Sequence, residues 1–406
     1  METETEFLVS NSGATGEPLL SALKQCGLTI RSTGPIAAGR HLGYKSLAQM
    51  PSHHNGPVSS NVRHQKVSSV HTRRFEHWFH PAAALQVPEL DLGSLHDLEI
   101  RDTAKAFLNN IEQLGEVGLT PLLLVAYARA QQSIVDQACL QVFGNLESRP
   151  IDDHRIEEFN AAIKDHRVQW EAANSSPDAF SQSIFLAAGE LDQLQDFQVS
   201  VRRGLEATLR GIVLGAWTAF EVLTSDLWEA AVNAYPRKLA ALKGDTSVLR
   251  RPKSTFGAFP EATSESPTSS KLIRLDFLQA HGFDLSAKMG TVLRERFNFQ
   301  ALAGIQEAYL AAFAQPDSQV RAIILEPAVE ALACTRNVLA HRSGVADDQF
   351  MSQYRRSPVL KAVFPEAITG CQLKLSGLTT HQLIQPVLSL ASGLVIAVNG
   401  LSRDLE

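Results

Sequence analysis

The sequence predicts an all-α protein, and three features of the 406-residue chain point to this class. Aromatic residues make up only 7% of the chain, whereas Ala and Leu, which favour helices, are abundant. From about residue 95 onward, apolar residues recur every three or four positions, which is the helical period. Apart from a short segment at 372–375, no stretch has the pattern of a strand. A chain of this length with 44% hydrophobic residues can hold two or three domains.

Residues 1–92 are predicted to form a flexible, basic and His-rich N-terminal arm. Gly, Pro, Ser and Asn are frequent there, and no helical or strand period persists. The stretch 18–75 contains no acidic residue and eight basic ones. Four interpretations of this charge stay open: a solvated tail, a segment that holds RNA, a segment that lies against the acidic helices after it, and an organellar transit segment. The glutamates at positions 2, 4 and 6 argue against the last.

No metal and no cofactor are expected. The histidines of the arm match no metal-ligand spacing, and the four cysteines form no CxxC pair. The sequence contains no nucleophile-elbow, P-loop, zinc-protease or dinucleotide-binding motif. It also shows no secretory signal and no uninterrupted apolar run that reaches the ~18 residues that a membrane helix needs. We therefore expect a cytoplasmic protein without a membrane segment.

Residues 93–200 are predicted to form an acidic helical module of unknown role. The stretch 99–200 contains 16 acidic and 7 basic residues. Its apolar spacing predicts a first helix at 99–114, and Thr120-Pro121 reads as the N-cap and first residue of a second helix that ends near 146. A third helix is expected after Asp152-Asp153, and a fourth at about 184–200.

Residues 201–406 are predicted to form a second helical domain, a bundle. A long helix is expected at 203–234, where Trp217, Phe220 and Trp228 belong to a broad apolar stripe assigned to the core. A long loop at 244–270 follows. Further helices are expected at 271–281, 285–296, 299–314, 319–340 with a kink at Pro327, and 379–404.

The sequence Arg336-Asn337-Val-Leu-Ala-His341-Arg342-Ser-Gly344 stands at the predicted end of the 319–340 helix. It resembles the signature of the HEPN superfamily (higher eukaryotes and prokaryotes nucleotide-binding domain), in which an Arg, often followed by a polar residue, precedes a His by four to six residues. The 203–234 helix is similar to the opening helix of that family, which often carries an acid that approaches the Arg and the His. Glu221 and Asp226 are the candidates for this acid, and Arg342 is a further supporting residue. The resemblance covers 201–406 only.

The resemblance implies a metal-independent endoribonuclease that cleaves RNA through attack of the 2′-hydroxyl, in a toxin or phage-defence setting. His341 would act as general acid and base, while the planar guanidinium of Arg336 would bind the phosphate oxygens as negative charge develops. Asn337 would bind phosphate or orient His341. The implied products are a 2′,3′-cyclic phosphate and a 5′-hydroxyl. An antitoxin or a regulatory protein is an implied partner.

The helical positions of these residues favour a dimer. Asn337 and His341 are four residues apart and share a face, whereas Arg336 and His341 are about 140° apart around an ideal helix. Proteins that the chain resembles dimerise so that two motifs meet in one cleft. We therefore expect a homodimer with a composite site.

Two other interpretations of the motif remain open. Arg336 and His341 could simply stabilise the carbonyls at the C-terminal end of a helix. The domain could also be a catalytically silent HEPN dimer that binds nucleotide or RNA, or that contacts another protein.

Overall fold

A computed structural model describes residues 78–79, 85–146, 153–244, 246, 279, 282, 284–313 and 318–403. Helix makes up 77% of the interpretable residues, which contain no strand. An isolated antiparallel bridge between Val345 and Gln372 stands near the predicted short strand. The predicted all-α class is therefore confirmed. The predictions made for most of the N-terminal arm, for most of the loop at 244–270 and for most of the helix at 271–281 lie outside the described residues.

The described helices are numbered here in chain order. They are α1 Leu98–Phe143, α2 Asp153–Ala173, α3 Pro177–Phe197, α4 Val199–Ala234, α5 Pro236–Leu239, α6 Met289–Arg294, α7 Leu302–Ala312, α8 Gln319–Ile324, α9 Pro327–His341, α10 Asp348–Arg356, α11 Pro358–Val363 and α12 Gly377–Arg403.

Helix α1 is one continuous helix of 46 residues, so the predicted break before Pro121 is wrong. It begins at the N-cap Asp97, whose carboxylate accepts the Ile100 N–H, and it ends at Gly144 in the left-handed conformation. The hydroxyl of Thr120 bonds the carbonyl of Glu116 one turn back instead of capping a new helix. Buried residues stand on both sides of the proline, and their packing against α4 stabilises the helix enough to offset the missing hydrogen bond.

Helix α4 is the centre of the fold. It contacts α1, α3, α6, α7, α9 and α12. The indole N–H of Trp228 donates to the carbonyl of Ala308 at 2.9 Å, which ties α4 to α7. The prediction that Trp217, Phe220 and Trp228 are core residues is confirmed, because each is at most 1% exposed.

The main hydrophobic core is continuous across position 200. Its buried residues come from α1, α3 and α4 as well as from α7 to α12. A second, smaller cluster joins the end of α1 to α2 through Cys139 and Phe159. The acidic helices 93–200 therefore pack on the C-terminal bundle through α1 and α3.

Two aromatic residues before α1 are anchored in this core. Trp78 is 1% exposed and Phe79 is 2% exposed, and the indole N–H of Trp78 donates to the carbonyl of Gly118 on α1 at 3.0 Å. A little further on, Gln86 exchanges two hydrogen bonds with the side chain of Gln385 on α12. The sequence assigned these residues to the flexible arm, whereas the structure packs them against α1 and α12.

The predicted 319–340 helix is two helices in the structure. Helix α8 ends at Ile324, and Pro327 is the first residue of α9, where its missing N–H costs no hydrogen bond. Helix α12 includes a stretch, Gly377–Gly400, that is long and apolar enough to cross a membrane. Most of that stretch is buried against α4, α8 and α9, as is usual for a core helix.

Candidate functional site

The motif from Arg336 to His341 lies at the exposed end of α9. Val338 and Leu339 are buried, while Asn337 and His341 are exposed and Arg336 is half-buried. His341 is the last helical residue, one position beyond the predicted end of the helix at 340. Because α9 stays helical to His341, Arg336 and His341 keep the separation of about 140° around the helix that was expected.

A left-handed turn stops α9 after His341. The backbone N–H groups of Arg342 and Gly344 both donate to the carbonyl of Val338 at 3.0 Å. Ser343 has a φ of +53° and Gly344 a φ of +86°. A glycine suits the second position because its left-handed backbone excludes most side chains. This turn holds His341 at the surface.

Arg336 and Asn337 are joined directly. The Nη1 group of Arg336 donates to the Oδ1 atom of Asn337 at 3.0 Å, on the exposed side of α9. The contact turns the carbonyl of the Asn337 amide towards the guanidinium, so its NH₂ group is the part left to meet a phosphate or another acceptor.

Glu221 on α4 stands close enough to Arg336 to interact with it electrostatically. Burial raises the pKa of Glu221, and this effect exceeds the lowering by the Arg336 guanidinium and by the nearby Trp217 indole. The Nε1 atom of Trp217, which lies near this carboxylate, is buried and forms no hydrogen bond with any described atom. Glu221 is therefore the acid of α4 within electrostatic range of Arg336, and the two side chains form no ion pair in the described part of the chain.

Asp226 lies elsewhere, in a polar cluster between α4 and α6. Its carboxylate is 3.0 Å from Nη1 of Arg294, which also contacts Glu229 at 2.6 Å. The Thr291 hydroxyl donates to the other oxygen of Glu229 at 2.6 Å. Burial raises the pKa of Asp226, partly offset by Arg294. The structure thus brings Glu221, but not Asp226, to the motif.

The remaining supporting residue, Arg342, follows the helix end. Its Nε group is 3.3 Å from the Asp347 carboxylate, which also caps the first turn of α10. The cation therefore helps to fix the connection between α9 and α10.

One residue near the motif was missed by the sequence reasoning. The Nη1 group of Arg210 on α4 donates to the carbonyl of Ser343 at 3.4 Å. Gln372 donates to the same carbonyl at 3.2 Å. A signal was present in the sequence: Arg210 and Glu221 are eleven residues apart, which on a helix is about three turns and therefore the same face.

The described part of the chain contains no cluster of three or more His, Cys, Asp or Glu side chains suited to a metal ion. Cys334, on α9 two residues before Arg336, is unsuited to nucleophilic chemistry, since burial and then the charges of Glu330 and Asp347 raise its pKa to about 12. The chemistry available at this surface is that of an imidazole, a guanidinium and an amide.

No protein-family model, no curated protein and no solved structure matches the chain.

Proposed function

We propose that the protein is a metal-independent endoribonuclease of HEPN type that works as a homodimer, in a toxin or phage-defence setting. The observation that carries the proposal is the exposed end of α9, where Arg336 is paired with Asn337, faces Glu221 and precedes the surface residue His341. A guanidinium and an imidazole at one exposed edge are the groups that cleavage of RNA without a metal requires.

The reaction transfers the phosphorus from one ribose oxygen to another. The 2′-oxygen attacks the adjacent phosphorus as His341 takes its proton, and the bond from phosphorus to the 5′-oxygen breaks. The 5′-oxygen leaves with a proton from an imidazolium, which leaves a 2′,3′-cyclic phosphate and a 5′-hydroxyl. Arg336 stabilises the negative charge that builds on the phosphorane oxygens, and Asn337 donates to one of them.

The geometry of α9 supports a composite site in a dimer. Arg336 and His341 diverge around one unbroken helix, so their side chains leave it in different directions. Two copies that meet at this edge would supply the second imidazole that protonates the leaving oxygen. Such a dimer is expected to sediment at twice the mass of one chain.

The electrostatic interaction between Arg336 and Glu221 favours a second candidate. A nearby acid offsets part of the positive charge that would stabilise a phosphorane, which suits a catalytically silent dimer that binds nucleotide or RNA, or a regulatory protein. An antitoxin or regulatory protein is the partner proposed for either candidate.

Expression in growing cells separates the two candidates. The nuclease is expected to arrest growth, the His341→Ala variant to be harmless, and the His96→Ala variant, which changes an exposed histidine before α1, to arrest growth like the wild type. If the wild type is harmless but binds RNA or nucleotide tightly, the binding module replaces the nuclease. If His341→Ala still arrests growth, the motif is not the site.

A further inference from the structure

The side chain of Arg210 contacts the turn that ends α9. Its guanidinium donates to the carbonyl of Ser343, and its Cζ atom is 3.7 Å from the point where a Cβ of residue 344 would stand. A Cβ at this position would make ordinary van der Waals contact with the guanidinium, whereas the left-handed backbone at Gly344 would strain a larger residue.

This position puts Arg210 close to His341. Ser343 is only two residues after His341, so their Cα atoms are at most about 7 Å apart. On α4, Arg210 and Glu221 face the same side with an axial separation of about 16 Å, and Arg336 stands at the Glu221 end. Along the axis of α9, His341 therefore stands between the two guanidinium groups, and its side chain leaves the helix in a different direction from that of Arg336.

The charge of Arg210 is not neutralised within the described part of the chain, where it forms no ion pair. Its hydrogen bond to Ser343 uses one of the five N–H donors of a guanidinium. By contrast, Arg336 faces Glu221 and Arg342 pairs with Asp347. Arg210 is therefore the cation of this edge with most capacity to bind an anion.

The surface beside Arg210 is open. The next residue, Gly211, is exposed, and no described heavy atom lies within 4 Å of the point where its Cβ would stand. A ligand strand that approaches along α4 can thus reach the guanidinium of Arg210.

We propose that Arg210 binds a backbone phosphate of the same RNA strand whose reacting phosphate Arg336 holds. This inference rests on the proposed function and adds a second contact to the same site. An RNA strand can span both guanidinium groups, whereas a single nucleotide can reach only one of them. The proposed ligand is therefore a strand, held through its backbone and without regard to base sequence.

The test is the salt dependence of binding to an RNA oligonucleotide with 2′-O-methyl groups, which the enzyme cannot cleave. For single strands, the slope of log affinity against log salt changes by about 0.7 for each phosphate neutralised. The Arg210→Gln variant of the full chain is expected to bind more weakly and to lose about 0.7 of slope. Arg210→Lys keeps the charge and is expected to keep the slope.

The matched control is Arg237→Gln. Arg237 is an exposed arginine on α5, beyond the other end of α4, and its loss is expected to leave both affinity and slope unchanged. Thermal unfolding of Arg210→Gln shows separately whether the turn at Ser343 has lost stability.

Three results would overturn the inference in distinguishable ways. If the wild type binds and cuts RNA while Arg210→Gln keeps the full slope, Arg210 only caps the turn and the proposed function stands. If Arg237→Gln loses as much slope as Arg210→Gln, the effect is one of overall charge. If the wild type binds no RNA at any salt concentration, the proposed function fails and this inference fails with it.

Discussion

Removing the ring of Phe79 is expected to destabilise the whole fold. The side chain is 2% exposed, and its ring lies 3.4 Å from the point where a Cβ of Gly118 would stand. It also packs edge-to-face on Trp78, with ring centroids 5.6 Å apart. A buried Phe→Ala change costs about 3 to 5 kcal/mol, because apolar contacts are lost and a cavity remains. Phe79→Ala is therefore expected to lower the free energy of unfolding by that amount.

The assay is urea denaturation at equilibrium, followed by circular dichroism. Val87→Ala is the matched control, because Val87 lies in the same segment but is 40% exposed, and its loss is expected to change the free energy of unfolding by no more than about 0.5 kcal/mol. If Phe79→Ala is as mild as Val87→Ala, the segment before α1 is not part of the core, and the anchoring described above is wrong.

Three further predictions concern α12, the polar cluster at α6, and Cys334. Gly377→Ala is expected to cost about 1 to 3 kcal/mol of unfolding free energy, because the new Cβ would clash with the backbone between Trp78 and Phe79. For Glu229, burial raises the pKa, but the hydrogen bonds from Thr291 and Arg294 outweigh it and the net shift is downward. A lowered pKa stabilises the fold above about pH 4.5 and loses that contribution as pH falls through the folded value, so Glu229→Gln is expected to cost about 1.5 to 3 kcal/mol at pH 7 and progressively less below pH 4.5. Cys334, with its raised pKa of about 12, is expected to resist alkylation by iodoacetamide at pH 8 until the protein is unfolded, as peptide mass spectrometry would show.

Each of these predictions has a control in the chain. Gly400→Ala, on the same helix but with open space around the new Cβ, is expected to be neutral or stabilising, and an equal loss in both glycine variants would refute the clash. Glu366→Gln removes a carboxylate that is 80% exposed and should change little at either pH; a Glu229→Gln cost that does not vary with pH would contradict the stated shift. Cys371 is exposed and should react in the folded protein, so equal rates at the two cysteines would show that Cys334 is not shielded.

The helices were predictable where local and tertiary preferences agree. The apolar spacing correctly predicted α4, and Gly344 correctly predicted the region where α9 ends. In these elements the residues that favour the helix also face the core. The predicted helix break before Pro121 was wrong. Proline favours the first turn of a helix, but packing on both sides of Pro121 outweighs this local preference. Such an outcome depends on contacts between distant residues, which spacing alone does not reveal.

The sequence predicted only the part of the candidate site that lies on α9. Arg336, Asn337 and His341 belong to one stretch of sequence, so their proximity follows from helical geometry. Which acid of α4 meets Arg336 depends on how α4 and α9 are aligned, and only the fold separates Glu221 from Asp226. Arg210 was missed for the same reason, because it meets the motif across 133 positions of the chain.

The central claim is that His341 cleaves RNA without a metal ion. The direct measurement is the cleavage rate of total RNA and of tRNA by the purified protein in EDTA, compared with its His341→Ala variant, with identification of the new RNA ends. Loss of a general acid and base typically lowers the rate about 10²- to 10⁴-fold. We expect the wild type to leave 2′,3′-cyclic phosphate ends and the variant to lose activity by that factor; equal cleavage by both proteins would show that His341 is not the catalytic group.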